Sequence, residues 1–293
     1  MKNIFLVFYF LANLSFCQQM TVIDKDSKTA IEYATIQYYK NNSYVNGSYS
    51  DIHGIFSLLK NSDKIIISCI GYKTLTHESN SKSTVIELEK NIYSLEEVVV
   101  GNKKYIAGNI DKKKTKMVGL SMGLETGSYI KNNFKKEFKV KSLKFKVNKV
   151  KDDVKYRIHF YSFKKDTLVP NIELTTKNKI NTLTKNTKGI IEINLENENI
   201  IFPLEGIYIT LECLSGENVP DNKYFLSKKE AIFSIEAYKS SNFEFVSRNS
   251  LKGVGWINVN EWLPRNYKDT FGKDYDIGLL YVPTFGLDLI EVE

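Results

Sequence analysis

The stretch Phe138–Val147, FKVKSLKFKV, alternates apolar and lysine side chains with a period of two. That pattern suits a strand with one buried and one wet face, and it suits no helix. The alternation changes phase at Lys141-Ser142, so a bulge or a strand break is expected there. Period-two or compact apolar runs recur at 155–163, 190–195, 206–214, 231–237, 243–246, 254–259 and 276–282. Ser227-Lys228-Lys229-Glu230 has the form of a helix capping box, but Ala231, Phe233, Ile235 and Ala237 alternate, so a strand is expected. Alanine occurs only six times, while aromatic residues make up 13% of the chain. Scarcity of the best helix former beside abundant Tyr, Phe, Ile and Val points to an all-β chain. Helical bundles, coiled coils and doubly wound nucleotide-binding folds are excluded on this reading.

Residues 1–17 have the tripartite form of a secretory signal peptide. Lys2 precedes the apolar run IFLVFYFL, and Cys17-Gln18-Gln19 ends it. Small residues at Ser15 and Cys17 suit cleavage before Gln18, although Cys17 as a lipid-bearing cysteine is an alternative. The expected location is the periplasm, the outer-membrane surface or the medium, with no transmembrane segment in the mature chain. Cys69 and Cys213 remain, each on an apolar strand face in a different predicted domain, so no disulfide is expected between them.

Residues 18–100 read as short strands at 20–23, 33–39, 55–59, 64–70, 84–88 and 95–100, separated by turn residues. Residues 101–117 are polar and lysine-rich and are expected to form a linker. Residues 118–293 resume strand patterning on a larger scale, and a jelly-roll-like β-sandwich is expected.

Within the first segment, SDIHGIFSL carries a D-x-x-G-x-F step with Asp51, Gly54 and Phe56. IIISCIGYKT carries an I-x-x-x-G-Y step with Gly71 and Tyr72, and SLEEVVVGN carries an L-x-E-V-V-V ending. With the opening TVIDKDSKTAIEYATIQ, these steps resemble the carboxypeptidase-regulatory-like domain. The resemblance implies a small β-sandwich of the kind found in exported Bacteroidota proteins, here ahead of a second β-sandwich of unsettled function. Gly54 and Gly71 are expected to serve structural turns.

A zinc peptidase needs a His-x-x-Glu pair and a third ligand. His53, His77 and His159 are followed three positions later by Phe56, Asn80 and Ser162, so that set is missing. No phosphate-cradling glycine loop follows a strand, and no cofactor or metal site is expected. Gly119-Leu120-Ser121-Met122-Gly123 matches Gly-x-Ser-x-Gly, with His159 as the downstream histidine. Its flanks lack the buried strand and helix that a nucleophile elbow needs, so a glycine-rich strand entry is preferred. Trp256, Trp262 and Tyr267 lie close in sequence near Arg265, and their rings either stack on a sugar or close the sandwich. Asp166-Thr167-Leu168 has the form of an O-glycosylation acceptor that the resemblance would imply.

The formal net charge is +7, yet Lys103–Lys151 alone holds 15 lysines against three acidic residues. Only Arg157, Arg248 and Arg265 are arginine. Arginine supplies the bidentate contacts by which proteins read nucleic acid, so no nucleic-acid partner is expected. Lys139, Lys141, Lys144 and Lys146 are expected either to guard an outer strand against edge pairing or to attract an acidic partner. The expected function is a non-enzymatic envelope protein with a binding or structural role, its partner an envelope glycan or protein. A carbohydrate-binding module and, more remotely, a serine hydrolase using Ser121 are the alternatives.

Overall fold

The computed structural model describes residues 18–81, 83–91, 100–164, 168–216, 226, 229–240, 244–253, 255–271 and 281–292. The chain divides into two compact units, Met1–Lys90 and Asn91–Glu293. The expected signal peptide lies outside the described residues, as do Asp166 and Thr167 and most of the strands expected at 95–100 and 276–282.

The first unit is a sandwich of seven described strands. They are β1 (Gln19–Asp24), β2 (Thr35–Lys40), β3 (Ser43–Tyr49), β4 (Ile55–Ser57), β5 (Lys64–Ser68), β6 (Leu75–Glu78) and β7 (Val85–Leu88). One sheet has the order β4-β1-β7 and the other β3-β2-β5-β6. Met20, Val22, Ile36, Ile65, Ile67, Ile86 and Leu88 fill the space between them. β3 and β6 went unrecognised in the sequence because SYVNGSY and LTHE show little apolar alternation. Gly54 has φ +72°, and a Cβ there would lie 2.4 Å from the Val22 carbonyl oxygen. Gly71 has φ +83°. Asp51 Oδ1 accepts from the backbone N–H groups of His53 and Ile55, each at 2.8 Å, which closes the turn around Gly54.

The second unit is also a sandwich. Its strands are β8 (Val100–Gly108), β9 (Lys116–Leu120), β10 (Leu124–Ile130), β11 (Phe138–Val150), β12 (Val154–Lys164), β13 (Val169–Glu173), β14 (Ile180–Leu183) and β15 (Gly189–Asn194). They continue with β16 (Ile201–Phe202), β17 (Ile207–Cys213), β18 (Phe233–Lys239), β19 (Phe245–Asn249), β20 (Ile257–Asn258), β21 (Tyr281–Pro283) and β22 (Phe285–Val292). One sheet has the order β13-β12-β17-β10-β19-β20, with β14 also on β12. The other has the order β21-β18-β11-β22-β8, with β15 and β16 on β11 and β9 on β18. Every pairing among these described strands is antiparallel, and the chain changes sheets repeatedly, as at β9–β10, β10–β11, β11–β12, β16–β17 and β17–β18. One core lies between the sheets, with Phe138, Phe145, Phe160, Phe202, Phe233, Phe245 and Phe285 inside it.

The phase change at Lys141-Ser142 is a register shift within one long strand, between Val140 and Ser142 of β11 where it meets β22. Three expectations need correction. Residues 101–117 are not a linker throughout, because β8 runs alongside β22 and β9 alongside β18. Asn109 locks the end of β8, donating its N–H to the Phe285 carbonyl at 2.7 Å and accepting the Phe285 N–H at 2.8 Å. The lysine strand is not an outer strand. β11 has β22 and then β18 along one side and β16 and β15 along the other. Its lysines answer acids on neighbouring segments instead, Lys141 with Glu196 at 2.7 Å and Lys144 with Asp288 at 2.7 Å. Finally, the strand expected at 254–259 is the short β20 followed by helix α1 (Val259–Phe271).

Candidate functional site: a charged rank on the outer face of a sheet

In β12 the residues Tyr156, Ile158 and Phe160 point into the core. The alternate residues Arg157, His159 and Tyr161 therefore project from the opposite face of the sheet. Glu212, Thr210 and Tyr208 of β17 share that face, as do Glu125 and Tyr129 of β10 and Arg248 and Val246 of β19. The antiparallel register aligns them. Arg157 lies opposite Glu212, Glu212 opposite Glu125, and Glu125 opposite Arg248. The result is one rank across four strands with the charge order plus, minus, minus, plus. His159 opposes Thr210 one rank along, and Gly127 continues that rank. A Cβ at Gly127 would lie 1.8 Å from the Ile209 carbonyl oxygen, so the close approach of β10 and β17 requires glycine there.

Glu125, Arg157, His159, Tyr161 and Glu212 are each at most 4% exposed. Buried charge is tolerated when paired and hydrogen-bonded, and here each group is. Arg157 Nη1 donates to Glu212 Oε2 at 2.9 Å. Arg248 Nε donates to Glu125 Oε2 at 2.7 Å, and its Nη2 donates to the Tyr161 hydroxyl at 2.9 Å. The Tyr161 and Thr210 hydroxyls both donate to Glu125 Oε1, at 2.9 and 2.5 Å. His159 links the two sides of the rank. Its Nδ1 meets Glu173 Oε2 at 2.8 Å and its Nε2 meets Glu212 Oε2 at 3.0 Å.

Two like carboxylates directly opposed would repel. His159 relieves this by carrying a proton. Burial pulls its basicity down, but the charges of Glu125 and Glu173, with the hydrogen bonds that Glu173 and Glu212 accept from it, outweigh that and raise the imidazole to about 10. Burial raises the Glu212 carboxyl, and Arg157 and His159 more than reverse it, holding Glu212 well below the usual carboxylate range. Glu173 is likewise held below its ordinary value, since His159 overcomes its burial. Three carboxylates thus face Arg157, Arg248 and a protonated His159.

Aromatic rings border the charged rank. Tyr161 stacks on His159 with ring centroids 5.6 Å apart and packs edge-on against Trp256 at 5.4 Å. The Arg248 guanidinium lies 4.4 Å from the Trp256 ring centroid. Tyr129, Phe163 and Tyr208 continue the aromatic surface away from the charges.

Of the residues singled out in the sequence, the structure brings Trp256 and His159 to this face. Trp262 lies on α1 and is half-buried. Tyr267 belongs to the same helix, and its side chain is outside the described residues. Ser121 is buried between β9 and β10, so its flanks are strand, turn and strand, where a nucleophile elbow needs a following helix. Both ring nitrogens of His159 are engaged by carboxylates. Among the described residues no group of three or more His, Cys, Asp or Glu side chains is arranged to hold a metal ion. No helix there is long and apolar enough to cross a membrane.

Sequence reasoning missed Glu125, Arg157, Tyr161, Glu173, Glu212 and Arg248. The available signal was chemical. Two of the three arginines of a lysine-dominated chain, and two glutamates, stand inside apolar strands (YRIHFY, LETGSYI, ITLECL, FVSRN) where a solvated face would carry lysine.

Among solved structures, the chain is similar to the cysteine protease and lectin-like domains of Cwp84, a surface-layer-associated protein of Clostridium difficile. The identity is 11% and the TM-score 0.36, with 91% of this chain and 61% of that one covered. A second structure of the clostridial cysteine protease Cwp84, a variant after propeptide cleavage, aligns at 8% identity and a TM-score of 0.36, covering 93% of this chain and 70% of that one. No curated protein sequence matches the chain. A family model does match the smaller sandwich: residues 21–100 correspond to the CarboxypepD_reg-like domain.

Proposed function

We propose that this chain is an exported, non-catalytic protein of the cell envelope, and that its larger sandwich binds an envelope partner through the edge of the charged rank. The observation that carries the reading is the mutual satisfaction of the rank. Carboxylates, arginines, His159 and Tyr161 answer one another within the sheet, which leaves no activated nucleophile among them and holds Arg248 against Trp256. Trp256 keeps part of its surface exposed. A ring fixed in this way, beside a guanidinium, suits stacking on a sugar, so an envelope glycan is the favoured partner. The apolar leader and the CarboxypepD_reg-like domain at 21–100 support export and a non-catalytic role.

The test is retention of the mature protein on immobilised envelope polysaccharide. Trp256→Ala is expected to reduce retention at least tenfold in protein that stays folded, with a melting temperature lowered by the lost packing on Tyr161 and Arg248. Trp262→Ala, on the helix, is expected to bind as the parent does. Equal retention by the parent and Trp256→Ala would overturn the reading.

A further inference from the structure

A second site lies in the opposite sheet, where β9, the end of β11 and β18 meet. At that place β11 carries another irregularity. Val147 pairs with Ile235 and Lys149 with Ser234, so Asn148 is the extra residue of a bulge. Bulges re-aim side chains and are over-represented beside functional sites. Next to this one lies a cavity of about 230 Å³, lined among others by Met117, Asn148, Lys149, Lys151, Ile232 and Ser234. That is room for one small organic molecule.

The lining includes Lys149 and Lys151 and no acidic residue, and the Lys151 ammonium donates to the Lys229 carbonyl at 2.7 Å. Asn148 is fixed in place: its Nδ2 donates to Ser234 Oγ at 3.0 Å and to Met117 Sδ at 3.3 Å, and its Oδ1 accepts from Lys114. Lys114 also lies 3.8 Å from Glu236, so the acid of β18 already has a cation beside it. The bulge thus joins the lysine-rich segment before β9 to the lysines that end β11. Met117 and Ile232 give the cavity apolar wall.

We propose that this cavity binds a small carboxylate-bearing molecule the size of a single sugar ring. Lys149 attracts its carboxylate, with Lys151 beside it at the Lys229 carbonyl; Asn148 Oδ1 and the Ser234 hydroxyl meet its hydroxyl groups, and Met117 and Ile232 cover its carbon skeleton. The site is separate from Trp256 and does not depend on glycan stacking there.

The experiment titrates mature protein with glucuronate, and separately with methyl glucoside, at low salt and follows amide chemical shifts. Glucuronate is expected to give saturable shifts at residues 117, 148–151 and 232–234, with affinity falling as salt rises. The Lys149→Gln/Lys151→Gln variant is expected to bind at least tenfold more weakly while its other amide signals stay in place. Trp256→Ala is expected to bind glucuronate as the parent does, which separates failure here from failure of the glycan-stacking reading. Methyl glucoside binding as tightly as glucuronate, no saturable shift, or undiminished affinity in the double variant would each overturn the proposal.

Discussion

Removing one partner from the charged rank leaves buried hydrogen-bonding groups beside it unanswered. Glu125→Ala leaves two buried hydroxyl donors and the partly exposed Arg248 without their shared acceptor, a change expected to cost about 2–3 kcal/mol. That corresponds to a fall in melting temperature on the order of 10 °C for the larger unit, measured by calorimetry. His159 sets the alkaline limit. Its folded value of about 10 lies above the ordinary 6.5, so its contribution is whole below about pH 6.5 and drains away as pH rises toward 10. Glu173 and Glu212 sit below 4.5, so theirs is whole above that value and lost in acid. Stability is therefore expected to peak between about pH 5 and 6.5, and His159→Gln should flatten the alkaline limb. A parent melting temperature constant from pH 7 to 10 would contradict this assignment. The network was hard to read in the sequence because both faces of β12 and β17 are buried. Period-two patterning identifies a strand with one wet face, and these strands have none along the rank.

At the scale of elements, the alternating strands were legible and the edges were not. β8 reads as a linker because an outer strand with Lys103 and Lys104 exposed shows little apolar period. Those lysines sit on a strand at the end of its sheet, where charge discourages pairing with another chain. Hydrogen exchange distinguishes the two descriptions: the alternate amides of 104–108 that face β22 should be protected. Exchange in 104–108 at the rate of an unstructured peptide would restore the linker. The helix at 259–271 also had a signal that alternation hid. Asn258 stands three residues before Glu261, and its Oδ1 accepts the Glu261 N–H at 3.3 Å. Val259 and Leu263, one turn apart, are both buried.

For the whole molecule, two cores follow from two separate sets of apolar strands, and each encloses one cysteine. Neither cysteine is in a disulfide and both are buried; burial pushes the Cys213 thiol up to about 12, so Cys213 is no ready nucleophile. Denatured, unreduced protein lacking residues 1–17 should titrate with two thiols, and a count of zero in monomer would contradict the division. The domain boundary was harder to read than the domains, because the lysines that suggested a joint belong to strands of the second sandwich. The rank on its outer face also bears on the order of events during synthesis. Its four members stand at 125, 157, 212 and 248, so it spans most of the second unit's length. A chain that emerges amino terminus first presents Glu125 long before Arg248 exists to meet it. Until then, the half-made sheet carries charge that costs energy to enclose, which discourages premature closure around a partial core. Such high sequence separation predicts slow, late folding of the larger unit. It also gives a newly made chain time to be moved while still extended.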